Sequence, residues 1–510
     1  MTMTMAQLLP VIPDVCAQFG DLAVPVTQVV YDSRQVVPGA LFVAYHGFHS
    51  DGHAFITTAI ECGATAIVYE DAQWDARIPV AAVRVTSARP ALGHVAAALA
   101  AYPSERLRVI GITGTDGKTT TTYLTAVALD VAGRSSGLVG TADFKVGPRL
   151  WANATRQSTP EAPEIQAMLA QMVAAGCTHA VLESTSHALS RRWQRLAGCG
   201  FDVAVLTNVT SEHLDFHGTV EQYRRDKAVL FEMLGDPSTA PHKQRKVAIV
   251  NADDANHRLF LQAAPLRAER LTYAVHARAD VQARNIRSSA KGIAFELQSH
   301  WGHRQVELSL TGDFNVWNTL AALTVALSEG VPLDDALAVL AQVEGVRGRM
   351  QRIIAGQPFE VLVDYAHTPA AFEKVMSLVR PLIDRRILVV FGSAGERDRE
   401  KRPVQGAVAA QYCDVLYITD EDPRGEDRMQ ILREIATGAT TAGRREGSDL
   451  FLIPDRRDAI GAALHAAEPG DMVLLLGKGH EGSIIHATGS LPWDESAVAR
   501  EMLASLGYRR

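Results

Sequence analysis

Residues 109 to 122 read Val-Ile-Gly-Ile-Thr-Gly-Thr-Asp-Gly-Lys-Thr-Thr-Thr-Thr, an apolar strand-like run that passes straight into a Gly-Lys-Thr loop and a helix-like segment. That order is how a chain holds polyphosphate. Glycines let backbone N–H groups turn inward around phosphate oxygens, Lys118 supplies a point charge, and Thr119 offers a hydroxyl to Mg²⁺. The general P-loop pattern has glycine where Ile112 stands; the glycines here are Gly111, Gly114 and Gly117. An incidental glycine-rich turn would need no strand before it and no helix after it. The expectation is a site for a nucleoside triphosphate.

Working outward, short β-like runs at 26–31, 40–44, 65–69 and 80–85 precede the loop, and an alanine-rich helical stretch covers 91–101. Pro103 breaks the pattern, which places a boundary near residue 105. Runs at 109–113, 180–183, 203–208 and 247–251 then alternate with helices, the pattern of a parallel α/β sheet. Residues 235–246, with two prolines, read as a surface loop, and a second boundary falls in 343–349. Further runs at 360–364, 387–391, 415–419, 450–453 and 472–476 each end in a polar, acidic or glycine-bearing loop. Ligands of open α/β sheets sit at the carboxyl ends of strands, so these loops are expected to converge.

At 510 residues the chain exceeds one ordinary core, and about three domains is the natural expectation. Hydrophobic content of 47% with 21% charged residues describes a soluble globular protein. A net charge of −7 argues against a nucleic-acid surface. Anionic substrates must then be held by local sites rather than by a global field. The five cysteines are scattered without paired metal spacing and are expected to stay reduced. The first residues lack a basic region followed by an apolar run, and no stretch is long and apolar enough to span a bilayer. A cytoplasmic protein, with no membrane insertion and no nucleic-acid partner, is expected.

Glu183 ends a strand in Val-Leu-Glu-Ser-Thr-Ser-His, where a nucleotide-bound Mg²⁺ would look for an oxygen ligand. Alone, such a glutamate is a solvated charge. The stretch 207–227 is dense in His and Asp: His213, His217 and Asp215 are candidate cation ligands, and each taken singly reads as a cap or loop group. Asn315 and Asn318 could cap a helix or bond a base. Arg349 could reach a phosphate or sit in a linker, and Asp364 and His367 could meet a ribose or form a turn.

Together these motifs resemble the Mur ligases of peptidoglycan synthesis, and within them the MurE type, which adds the third residue of the stem peptide. The resemblance runs through essentially the whole chain. It rests on Asp32-Ser33-Arg34 and residues 41–52 in the first part, and on the P-loop, Ser158-Thr159-Pro160, residues 186–189 and residues 213–218 in the second. In the third it rests on Gly348-Arg349-Met350, residues 364–369, Asp422-Pro423-Arg424 and residues 477–481. It implies an α/β protein of three domains: residues 1–105 binding the UDP-sugar, a central P-loop parallel-sheet ATPase domain at 106–345, and a Rossmann-like amino-acid-binding domain at 346–510. The implied activity is ATP-driven, Mg²⁺-dependent ligation of a diamino acid to UDP-N-acetylmuramoyl-L-alanyl-D-glutamate through an acyl phosphate, by a monomer.

By the same resemblance, Tyr31, Ser33, Phe48, His49 and Ser50 would contact the UDP-sugar. Gln157, Ser158, Thr159, Thr185 and Arg191 would follow the muramoyl-peptide. Gly114, Thr115, Asp116, Gly117, Lys118, Thr119 and Thr120 would bind ATP, with Asn318, Arg349 and Asp364. Thr119, Glu183 and His213 would serve metals, and Lys227 matches the lysine that the family carbamoylates with CO₂. On the bare sequence Lys227 would be an ordinary exposed helix lysine. Arg397, Glu421, Asp422, Pro423, Arg424, Gly477 and Glu481 would take the amino acid. Lys118, Lys227, His213 and Glu183 form the expected catalytic set.

Three positions depart from the family pattern. Asp116 replaces an asparagine of the P-loop. Trp193 stands where an arginine usually faces the peptide, with Arg191 or Arg192 as candidate substitutes. Glu421-Asp422 replaces the Asp-Asn of diaminopimelate-adding relatives. The two arginines, Arg397 and Arg424, point to meso-diaminopimelate; the added anion points to the terminal ammonium of lysine or ornithine. The arginines are given the greater weight. A folylpolyglutamate-type ligase shares the P-loop and lysine but not the first domain, and a P-loop switch ATPase is the alternative from another class.

Overall fold

The computed structural model of the chain describes residues 2 to 509 apart from 48, 49, 76, 132, 156, 211, 213, 238, 240 and 241. It divides into two compact units, one of residues 1–151, 157–282 and 317–336, the other of residues 152–156, 283–316 and 337–510.

The first unit begins with a five-stranded sheet built from β1 (Val15–Phe19), β2 (Gln28–Val30), β3 (Ala40–Val43), β4 (Ala64–Tyr69) and β5 (Ala81–Val85). The order is β1-β5-β4-β3-β2, with only β1 antiparallel. Alternate residues face opposite cores: Leu41 and Val43 join one with Leu92 and Val95 of helix α1 (Ala88–Leu99), while Ala40 and Phe42 join the other with Ile56 and Ile67. The sequence pattern placed the helix start three residues late because of Pro90. Proline is tolerated in a first helical turn, where its missing N–H has no intrahelical partner.

The larger sheet of this unit carries β6 (Arg108–Thr113), α2 (Lys118–Leu129), β7 (Ser136–Val139), β8 (Asp143–Val146), α3 (Ala162–Ala174), β9 (His179–Glu183), α4 (Ser186–Leu189), β10 (Val203–Leu206), α5 (Leu214–His217), α6 (Val220–Glu232), β11 (Val247–Asn251) and β12 (Glu269–Ala274). Its strands run β8-β7-β9-β6-β10-β11-β12, all parallel except β8 on β7. Strands β9, β10 and β11 are buried at every residue, as expected where helices cover both faces of a parallel sheet. The start of β13 (Val281–Ser289) adds to β12 in parallel; in the second unit, β14 (Gly292–Ser299) and β15 (Gly302–Leu308) form an antiparallel hairpin. Helix α7 (Phe314–Ser328) follows. The parallel strands β6, β9, β10 and β11 coincide with runs read from the sequence; the parallel strands β7 and β12 and the antiparallel ones were not anticipated.

The second unit holds a six-stranded sheet of β16 (Gln351–Arg352), β17 (Glu360–Asp364), β18 (Ile387–Phe391), β19 (Val415–Ile418), β20 (Leu450–Leu452) and β21 (Met472–Leu476), in the order β16-β17-β21-β18-β19-β20. All but β16 are parallel. Leu362 and Val389 face one core; Val361, Val363, Leu388 and Val390 face the other with α8 (Arg456–Ala466) and α9 (Glu495–Ser505). Among the described residues no helix is long and apolar enough to cross a membrane, and all five cysteines are free.

Candidate active site

In the first unit the carboxyl end of β6 opens into the phosphate loop. Gly114 and Gly117 have φ of +151° and +80°, and a side chain at either would collide, with Thr207 Oγ1 and Asn318 Oδ1 respectively. Glycine is required there twice over, by backbone and by space. Lys118 Nζ folds back to donate to the Gly114 and Thr115 carbonyls at 3.0 and 2.8 Å. The Asp116 side chain stands at the exposed tip, while its N–H donates to Asn208 Oδ1 at 3.0 Å and its carbonyl accepts from Thr207 Oγ1 at 2.7 Å. Thr120 is buried on α2. Asn318 accepts from Thr121 Oγ1 at 3.3 Å, and Asn315 donates to the Thr311 carbonyl at 2.8 Å.

Glu183, at the end of β9, is buried. Its Oε1 accepts from Thr119 Oγ1 at 3.0 Å and its Oε2 from the Thr141 N–H at 2.8 Å. A buried carboxylate beside a buried hydroxyl at a phosphate loop is a donor set of hard oxygens, which suits a small divalent cation such as Mg²⁺.

Lys227 overturns its bare-sequence reading as an exposed helix lysine: it is 1% exposed, and Nζ donates to the Gly114 carbonyl at 2.5 Å, 4.4 Å from the centre of the Tyr223 ring. The cause is legible on α6, whose buried residues Tyr223, Asp226, Lys227, Leu230 and Phe231 follow helical spacing. Burial, and then the charge of Lys118, drives its pKa well below the usual lysine range. Thr115 Oγ1 and Tyr223 Oη lie 3.0 Å apart beside it.

His217 is corrected as a cation-ligand candidate. Its Nδ1 is 2.6 Å from Asp226 Oδ2 and its Nε2 is 3.1 Å from Ser186 Oγ, so both ring nitrogens are engaged. Asp215 is exposed. His213, Phe48 and His49 lie outside the described residues.

Of the residues expected along the UDP-substrate, Thr159 and Thr185 are brought together: their hydroxyls are 3.2 Å apart, and Thr159 Oγ1 donates to the Glu183 carbonyl at 2.6 Å. Ser158 and Ser33 are half-buried, and Gln157 and Ser50 are exposed. Tyr31 donates to Glu164 Oε1 at 3.0 Å, and burial followed by that carboxylate raises its pKa. Arg191, a candidate for the arginine absent at Trp193, has a side chain that is 81% exposed and lies 3.5 Å from Glu232. Arg89 of α1 packs on Trp193, sandwiched between the Tyr45 and Trp193 rings at 4.0 and 3.8 Å. It pairs with Glu161 at 3.1 Å, which Arg195 approaches at 2.9 Å from its other oxygen. Sequence reading missed Arg89, because nothing in its helix marks the partner.

In the second unit the loops after β17, β19 and β21 carry the remaining candidates. Asp364 forms a turn, its carboxylate accepting the Met350 and Ala366 N–H groups at 2.8 Å each, and burial raises its pKa. Arg349 lies over the Tyr365 ring at 5.0 Å. Asp422 is paired within the fold: Oδ1 accepts from Lys478 Nζ and from the Ile485 N–H, each at 2.9 Å. Lys478 also donates to Glu481 Oε2 at 2.6 Å. Glu421 is 7% exposed, its Oε2 has no hydrogen-bond partner among the described residues, and burial pushes its pKa up to about 7. Gly477, at φ +103°, makes room beside that carboxylate. Arg424 has φ +54° and a buried Nε without a hydrogen-bond partner among the described residues, Pro423 is buried, and Arg397 is exposed.

Sequence reading also missed Arg456, the first residue of α8. It is fully buried against Glu495 at 2.5 Å and donates to the Asp420 and Leu476 carbonyls at 3.0 and 2.8 Å. It thereby pins the loops after β19 and β21 to each other. Removing one partner of such a pair costs about 3–5 kcal/mol.

Family models match the chain in three stretches: "Mur ligase family, catalytic domain" at 25–100, "Mur ligase middle domain" at 112–326 and "Mur ligase, glutamate ligase domain" at 348–479. The chain is 64% identical to the UDP-N-acetylmuramyl-tripeptide synthetase of Roseiflexus sp. (strain RS-1), across 94% of this chain and 95% of that protein. It is 41% identical to the UDP-N-acetylmuramoyl-L-alanyl-D-glutamate–2,6-diaminopimelate ligase of Geobacillus kaustophilus (strain HTA426), across 93% and 94%. A solved structure of a UDP-N-acetylmuramoyl-L-alanyl-D-glutamate–2,6-diaminopimelate ligase aligns with a TM-score of 0.70 at 30% identity, covering 99% of this chain and 100% of that one.

Proposed function

The chain belongs to the Mur ligase family, to its MurE (UDP-MurNAc-tripeptide synthetase) branch, and on that premise we propose how its residues add the third amino acid to UDP-N-acetylmuramoyl-L-alanyl-D-glutamate, with meso-diaminopimelate as that amino acid. The reaction uses ATP and Mg²⁺. The side-chain carboxylate of D-glutamate attacks the γ-phosphorus, the bond to ADP breaks, and an acyl phosphate forms. An amine of the acceptor then attacks the acyl carbon; the carbon–oxygen bond to phosphate breaks, phosphate leaves, and the nitrogen loses its proton to give the amide.

The phosphate loop and Lys118 hold the triphosphate, Lys118 exchanging its two carbonyl partners for phosphate oxygens. Thr119, Glu183 and His213 would hold Mg²⁺, which neutralises charge on the triphosphate. Tyr31, Ser33 and residues 48–50 serve the UDP-sugar, and Thr159, Thr185 and their neighbours the peptide.

The observation that carries this reading is Lys227. Its buried amine beside Gly114 has its pKa driven down by burial and by the charge of Lys118, which favours the neutral form that adds to CO₂. Its nitrogen bonds the carbon, a proton leaves, and a carbamate results, a carboxylate-like anion where a divalent cation needs one. Diaminopimelate is favoured because Lys478 already balances Asp422, which leaves the guanidinium groups of Arg424 and Arg397 to read a distal carboxylate.

The test is mass spectrometry of the product with UDP-muramoyl-dipeptide, ATP and diaminopimelate, lysine and ornithine offered together. A diaminopimelate adduct upholds the reading. A lysine or ornithine adduct assigns Glu421 to a distal ammonium instead, and ATP turnover without either substrate would refute ligation.

A further inference from the structure

Ser186 of α4, His217 of α5 and Asp226 of α6 form an unbroken hydrogen-bonded line: Ser186 Oγ to His217 Nε2 at 3.1 Å, and His217 Nδ1 to Asp226 Oδ2 at 2.6 Å. A carboxylate only accepts, so the bond to Asp226 places hydrogen on Nδ1. In a neutral imidazole Nε2 then accepts from the Ser186 hydroxyl; in an imidazolium it donates to that oxygen. The second oxygen of Asp226 is also taken, accepting from Gln222 Nε2 at 2.9 Å. All three side chains are buried, and the imidazole is walled by the rings of His187, Phe216 and Tyr223 at 5.4, 4.7 and 5.1 Å.

Serine, histidine and aspartate in this order activate a nucleophile in many hydrolases. Here Ser186 is 2% exposed, which denies a reacting carbon the approach a nucleophile needs. What the line joins is more telling. Ser186 follows Thr185, the cap of α4, whose hydroxyl meets Thr159. Asp226 immediately precedes Lys227 on α6. Adjacent helix residues are fixed about 100° apart around the axis, so pinning Asp226 on both oxygens sets the direction in which Lys227 leaves the helix.

We propose that Ser186, His217 and Asp226 are positioning residues that lock α6 so that Lys227 meets the phosphate loop, and that tie this setting to the Thr159–Thr185 hydroxyls on the substrate side. The proposal rests on the reading of Lys227 as a carbamate. His217 acts through Asp226, not on any cation, and Ser186 anchors the far end.

The experiment uses the full chain with Asp226→Asn and His217→Asn, in buffer containing ¹³C-bicarbonate, with ¹³C NMR and steady-state kinetics side by side. In wild type a carbamate resonance is expected that Lys227→Ala lacks. Both relay variants should lose most of that resonance and about tenfold or more in kcat, as supporting partners of a metal site typically do, with KM for ATP little changed. Partial recovery of turnover with added acetate or formate supports the proposal, since a free carboxylate then replaces the misdirected one.

Retention of the resonance and of kcat within about threefold in both variants would overturn the relay. So would labelling of Ser186 by a fluorophosphonate probe, which would make it a nucleophile. If the asparagine variants do not fold, Gln222→Ala loosens Asp226 from its exposed side; a smaller loss of resonance and kcat is then expected, and no loss overturns the proposal. Absence of the resonance from wild type refutes the carbamate itself, and the relay is then decided by the kcat ratios alone.

Discussion

Lys478 Nζ lies 2.9 Å from Asp422 Oδ1, and both side chains are shut off from solvent. The pair changes what the aspartate means. Read from sequence, Asp422 adds an anion to a loop that diaminopimelate-adding relatives keep neutral at that position. In the folded chain the anion is spent on a lysine three residues from Glu481, which shares the same ammonium.

Asp422→Asn should therefore leave acceptor preference within about threefold of wild type, since Lys478 already balances that charge. Lys478→Met should be far more harmful. It strands Asp422 beside Glu421 and Glu481, and leaving a buried charge unpaired costs about 3–5 kcal/mol. Chemical denaturation and a competition assay on both variants check this; a preference reversed by Asp422→Asn would show that the carboxylate does reach the acceptor.

Glu421 gives the second unit a pH dependence with a definite sign. Its pKa rises from an ordinary 4.5 to about 7 because burial disfavours the anion. Between those values the folded chain keeps a proton that the unfolded chain releases, so stability falls as pH rises through the window and is level below it. The shift corresponds to about 3 kcal/mol at most. Glu421→Gln should abolish the slope and raise the thermal midpoint relative to wild type at pH 8 but not at pH 4.5. Equal differences at the two values would show that the carboxyl is already ionised in the folded state.

Much of this was legible in residue order, and what was not has physical causes. The continuous apolar runs of β9, β10, β11 and β18 announce parallel strands covered on both faces. The alternation Ile293, Phe295, Leu297 on β14 is equally regular, yet its hairpin partner β15 is dominated by His303, Arg304 and Gln305 and hides the pairing. The burial of Lys227 could have been found from its spacing to Tyr223, Leu230 and Phe231. The roles of Arg89 and Arg456 could not, because each depends on a carboxylate far along the chain, Glu161 and Glu495.

Lys227→Ala should abolish ligation and leave the fold intact, since the Lys227 side chain makes one hydrogen bond among the described residues, to the Gly114 carbonyl, a contribution of about 1 kcal/mol. Short carboxylic acids should restore part of the turnover. Near-normal activity at saturating Mg²⁺ would dismiss the carbamate.

Lys118→Ala should lose about a hundredfold or more in kcat, the typical effect of removing one charge-assisted donor from a preorganised site. Binding of the UDP-substrate, measured by isothermal titration, should persist, because Tyr31 and the Thr159–Thr185 pair do not contact Lys118. Loss of that binding would mean the two sites are not separate.

Arg424 decides the acceptor. Its backbone is held at φ +54° by a bond from its N–H to the Ile485 carbonyl at 2.9 Å, so the side chain leaves the loop in a fixed direction, with Nε lacking a hydrogen-bond partner among the described residues. A guanidinium so placed suits two-point pairing with a carboxylate, and lysine and ornithine have none at the distal end. Arg424→Ala should therefore raise KM for diaminopimelate by about a hundredfold, equivalent to roughly 3 kcal/mol for a charge-assisted pair, and leave KM for lysine within about threefold. Arg424→Lys should recover little, because an ammonium keeps the charge but loses the fork. The competition assay reads both values at once. If wild type prefers lysine or ornithine and Arg424→Ala leaves that preference unchanged, the arginine does not read a distal carboxylate, and the unpartnered carboxyl of Glu421 becomes the group that selects the acceptor.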